Sequence, residues 1–115
     1  MTAPKAKKDT LMLDAWWRDD AEQELAGVMP KAVEYGSSDL QLMGEALLMC
    51  MPQCRDKVDA EELAIAFYAL GKTARLMGAY ADGRTPSEDT WHDLGVYARM
   101  AKRVRAVGQW PGPTK

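Results

Sequence analysis

The sequence predicts an all-α fold built on four main helices. Apolar residues recur three and four positions apart over long stretches, as on one face of a helix. Capping residues, prolines and glycines punctuate those stretches where helices start and stop. Nowhere does a sustained period-two alternation or a turn between β-branched runs suggest a strand. A chain of 115 residues suits one domain, with 47% hydrophobic and 28% charged residues. The net charge of −2 implies no general attraction to nucleic acid or membrane. No apolar run reaches the length of a membrane span.

Residues 1–9 read as a disordered basic tail carrying Lys5, Lys7 and Lys8, with no apolar leader segment after it. A cytoplasmic location follows from that reading. Residues 10–108 form the helical domain, and 109–115 an irregular end whose Trp110 can pack back on it. Thr10 opens a first helix, near 10–29, that runs past Trp16, Trp17 and Leu25. Pro30 ends or kinks it, because proline removes an amide and clashes one turn back. Lys31–Tyr35 adds one more turn, closed by Gly36.

The second helix, near 38–51, starts at Ser38 with Gln41 at capping-box spacing. Leu40, Met43, Leu47 and Met51 form its apolar stripe, and Pro52 stops it. Cys50 and Cys54 flank Pro52, lack the partners of a closed zinc site and read as free thiols.

Asp59 and Glu62 open a third helix, near 60–80, again at capping-box spacing. Leu63, Ala66, Phe67, Leu70, Ala74 and Met77 line one face, and Ile65, Ala69 and Leu76 widen the apolar surface. This helix is expected to be largely enclosed at the centre of the bundle. So much apolar circumference, with eight Met and four Trp in the chain, also predicts a homodimer or larger assembly.

The fourth helix, near 86–107, starts with Thr85 as cap, Pro86 in the first position and Glu88 reaching back, and ends at Gly108. Asp89 and Asp93 stand four residues apart on one of its faces. The macrodipole accounts for Glu88 and Asp89 better than for Asp93. With the third and fourth helices antiparallel, Asp89 and Asp93 approach Lys72 and Arg75, which are expected to be buried. Two readings stay open. In one, the four groups form a structural ion-pair network. In the other, the carboxylates hold Mg²⁺ while Lys72 and Arg75 take phosphate oxygens. Glu34 and Asp39 flank the turn between the first two helices, a second dense polar patch.

Three segments carry a resemblance: 30–40 (PKAVEYGSSDL), 67–75 (FYALGKTAR) and 87–100 (SEDTWHDLGVYARM). Together they resemble a family of small uncharacterised proteins encoded by phages of actinobacteria. More distantly, the order of acidic, Lys/Arg-bearing and acidic helices resembles the MazG-type all-α nucleoside triphosphate pyrophosphohydrolases. That resemblance implies a dimeric bundle, Mg²⁺ held between carboxylates of two helices, and a metal-activated water that splits an NTP into NMP and pyrophosphate. Glu88–Asp93 resembles the second signature of those enzymes. Of the first, Glu61-Glu62 is present, but Ala64 and Ile65 stand where a third acid belongs. The implied site has Asp89 and Asp93 on the metal, Lys72 and Arg75 on phosphate, and Glu62 in catalysis with Glu34 and Asp39 in place of the missing acid. The alternative is a non-catalytic phage protein on the same fold that binds a nucleotide or a host protein, or whose polar cluster is purely structural.

Overall fold

The computed structural model describes residues 12–35 and 38–114, with side chains omitted for 33–38. The basic head, the Thr10 start, the Gly36 stop, the Ser38 cap and the Glu34 carboxylate all lie outside the described residues. Four α-helices follow in order: α1 (Leu13–Tyr35), α2 (Ser38–Cys50), α3 (Ala60–Ala81) and α4 (Glu88–Val107). A 3₁₀ turn, Pro52–Cys54, links α2 to α3. None of the described helices is long and apolar enough to cross a membrane. Cys50 and Cys54 are free thiols.

Alpha1 runs unbroken through Pro30 to Tyr35, past the expected stop. The carbonyl deprived of its amide belongs to Ala26, which is exposed, so water can take that bond. At α4 the cap also differs from the expected one. Ser87, not Thr85, is the N-cap, and its Oγ accepts the Asp89 N–H at 3.2 Å. Serine at this position reaches the second amide of the helix, so Pro86 falls before the helix rather than inside it. The far end is as expected: Gly108 takes φ 90° and donates its N–H to the Val104 carbonyl at 2.7 Å. At α3, Asp59 is the N-cap but makes no side-chain bond. The reciprocal box fails because Glu62 turns outward to Arg105.

Alpha3 lies between α2 and α4 and packs on both. Three rungs fix α3 and α4 as antiparallel. Glu62 meets Arg105, Tyr68 stacks on Tyr97 with ring centroids 6.0 Å apart, and Lys72 meets Asp93. Alpha2 is antiparallel to α3 as well, since Gly44 abuts Ala60 while Leu40 shares a cluster with Ala64. Gly44 is obligatory there: a Cβ would run into the Ala60 carbonyl. The core is Leu40, Ala64, Ile65, Met100 and Val104, with Met43, Tyr68, Tyr97 and Trp110 packed around it. Trp110 does fold back onto the bundle, as the sequence suggested.

Alpha1 stands apart from this three-helix core. It reaches α4 through Glu24, whose Oε1 lies 3.4 Å from Arg99 Nε. A cleft of about 430 Å³ opens between α1, α4 and the C-terminal segment, walled by Leu25, Val28, Met29, Val96 and Trp110. Trp17 and Trp91 are 63% and 57% exposed. The radius of gyration is 16.9 Å, against about 13 Å for a compact chain of this length.

Candidate functional site, the outward face of α3

Of the seven side chains singled out from the sequence, the six that are described do not converge. Lys72 and Asp93 meet, with Nζ to Oδ2 at 2.9 Å and side chains 20% and 39% exposed. Arg75 does not join them. Three residues further on, it is rotated about 60° off the seam with α4 and is exposed, contrary to expectation. No ion-pair partner for it occurs among the described residues. Asp89 is exposed on the first turn of α4. Asp39 is exposed on the first turn of α2. Glu62 sits ten residues from Lys72, about 15 Å along α3. It is held there by both nitrogens of Arg105 that face it, each at 2.9 Å. That fork raises the Arg105 pKa above its already high ordinary value, the hydrogen bond contributing first and the charge second. Among the described residues no three His, Cys, Asp or Glu side chains lie close enough to hold a metal ion.

Two residues whose role the sequence reading missed, Glu61 and Arg103, form a clamp on the C-terminal segment. Glu61 is only 4% exposed, and its carboxylate accepts the Trp110 backbone N–H at 3.0 and 3.5 Å. Arg103 donates to the carbonyls of Pro111 and Pro113 at 3.0 and 2.8 Å. These bonds hold the Trp110 side chain on the core. An acid in the first turn of a helix carries no mark of such a role, because its partner comes from a loop 49 residues away.

The most unusual surface is α3 itself. Its buried residues are Ala60, Glu61, Ala64, Ile65, Leu76 and Ala79. The stripe expected to be enclosed points the other way. Phe67, Leu70 and Met77 are 49%, 65% and 61% exposed. At 100° per residue, Leu63, Phe67, Leu70, Ala74, Met77 and Ala81 fall within about 80° of the helix circumference. The four charged residues of α3 (Glu61, Glu62, Lys72 and Arg75) all lie on the opposite half. Thus Glu61, Glu62 and Lys72 engage neighbouring segments, Arg75 is exposed at the margin of the stripe, and the stripe itself carries no charge. A surface helix normally has the reverse arrangement.

Two glycines accompany this face, Gly71 and Gly78. A Cβ on either would meet nothing within 4 Å, so no contact inside the protomer requires them. Each costs about 1 kcal/mol relative to alanine in a helix interior. Over Gly71 lies a groove of about 260 Å³, walled by Phe67, Tyr68, Leu70, Ala74 and Arg75.

The chain matches no family model, no curated protein and no solved structure.

Proposed function

We propose that the chain is a non-catalytic helical interaction protein that docks another protein surface on the outward face of α3. The observation that carries this reading is the inverted polarity of α3: exposed Phe67, Leu70 and Met77 on one side, all four charges on the other. Contiguous exposed apolar surface of this kind marks interaction sites on soluble proteins. The loose disposition of α1, with Met12, Leu13, Trp16 and Trp17 exposed, is further support for a protein that works in an assembly.

The expectation of a MazG-type, Mg²⁺-dependent nucleotide pyrophosphohydrolase has less support. Of the residues proposed for it, Asp93 is engaged by Lys72 and Glu62 by Arg105, while Asp39 and Asp89 stand on the first turns of different helices. The Lys72–Asp93 pair instead fits the structural reading, a half-buried bridge that locks the register of α3 on α4.

The test is a Leu70→Glu, Met77→Glu double variant compared with wild type by light scattering and by binding of a hydrophobic dye. Wild type is expected to associate with itself or a partner and to bind the dye. The variant should lose both while keeping its helical circular dichroism. Association that survives both substitutions would overturn the reading.

A further inference from the structure

The cleft between α1, α4 and the C-terminal segment is a feature separate from the α3 stripe. It holds about 430 Å³, within the roughly 300–1,000 Å³ of small-molecule sites. Its walls come from three segments: Leu25, Val28 and Met29 of α1, Val96 of α4 and Trp110 of the C-terminal segment. Concave, mainly apolar walls with a few polar groups are what such sites require. Three charged side chains join the lining, Glu24, Arg99 and Arg103.

Those three charges do not cancel. Glu24, whose side chain is only 11% exposed, is paired with Arg99. Arg103 has no carboxylate within ion-pair reach among the described residues. It is half-buried, and its two hydrogen bonds go to neutral carbonyls, from Nε to Pro111 and from Nη2 to Pro113. These bonds occupy one edge of the guanidinium. The other edge, Nη1 with the second Nη2 hydrogen, has no hydrogen-bond acceptor among the described residues. The two carbonyls thus orient the cation without neutralising it. A guanidinium fixed in this way is a pre-organised fork, and its open edge matches the two oxygens of a carboxylate. A charge held beside apolar walls calls for an opposite one. We propose that the cleft binds a small amphipathic carboxylate, an apolar body bearing one acid group, and that Arg103 receives the acid. Such a ligand covers the apolar walls and brings the charge of the site to zero. A neutral ligand leaves Arg103 unpaired, and a cation meets two guanidiniums.

The experiment titrates the full chain calorimetrically with octanoate, beside octanol and octylamine, which keep the alkyl chain and change the head group. Wild type is expected to bind one octanoate per protomer in the micromolar range, and the other two at least about 10-fold more weakly. Arg103→Gln should lower the affinity for octanoate to that for octanol. Arg103 also holds the C-terminal segment, so a second variant leaves it in place. Val28→Trp fills the cleft from α1 and should abolish octanoate binding with unchanged helical circular dichroism. The Leu70→Glu, Met77→Glu variant, altered only on α3, should bind octanoate as wild type does. Equal wild-type affinity for octanoate and octanol would overturn the inference. So would octanoate binding that survives Val28→Trp, binding lost in the α3 variant, or no binding by the wild type at millimolar octanoate.

Discussion

Leu76 and Met77 are neighbours in sequence and should behave as opposites. Leu76 is 4% exposed and Met77 61%. Truncating Leu76 to alanine removes buried methyl groups from the packed side of α3, at a cost of about 3 kcal/mol. A chain of this length has a total stability of roughly 6–17 kcal/mol, so the loss is a large fraction of it. At about 4 °C per kcal/mol, the melting temperature should fall by about 12 °C. Truncating Met77 removes little from the protomer, so its melting should shift by about 2 °C or less. The melts belong at concentrations where the protomer is free, because self-association adds its own stabilisation. Association should show the reverse pattern. Covering the exposed three-fifths of a methionine is worth about 1–2 kcal/mol. Met77→Ala should therefore weaken association through this face by about 5–30-fold. Sedimentation across a dilution series measures that change. Equal melting losses for the two variants would refute the assignment of faces on α3, as would a tolerated Leu76→Ala.

Gly44→Ala should lower the melting temperature by about 8–12 °C, because relieving the clash with the Ala60 carbonyl outweighs the better helix propensity of alanine; a rise would show that α2 and α3 do not approach so closely. Glu61→Ala should cost about 2 kcal/mol by stranding the Trp110 N–H, and Glu61→Gln, which keeps an acceptor, should cost less; equal melting curves for the two would remove the clamp on the C-terminal segment. Asp93→Asn should cost about 1 kcal/mol by loosening the bridge to Lys72, with calorimetric titrations of Mg²⁺ and nucleotides identical for wild type and variant. Metal-dependent nucleotide binding that the variant loses without any loss of melting temperature would instead restore the metal-site reading.

The number and order of the helices were legible because their boundaries are local. Pro52 after α2, Asp59 before α3 and Gly108 after α4 act through their own backbone. The short Asp82–Ser87 connection also made α3 and α4 antiparallel, which brought Lys72 to Asp93. The orientation of α3 about its axis was not legible. Ile65 and Leu76 on one side and Leu70 and Met77 on the other give apolar residues at most angles, so periodicity singles out no side. The charges misled for a related reason. Glu61 and Lys72 belong on the packed half only because Trp110 and Asp93 arrive there from distant segments. The cap of α4 moved by two residues because Thr85 and Ser87 are chemically equivalent candidates and only backbone geometry separates them. Nor did the residues of α1 reveal that it meets α4 loosely, through Glu24 and Arg99 and across an open cleft, rather than along a packed seam.

The central claim is that α3 turns the apolar stripe of Phe67, Leu70 and Met77 outward to dock another protein surface. Light scattering and hydrophobic-dye binding of the Leu70→Glu, Met77→Glu double variant beside wild type test it most directly. The account predicts association and dye binding by the wild type, and loss of both in the variant with unchanged helical circular dichroism. Association that survives both substitutions would contradict it.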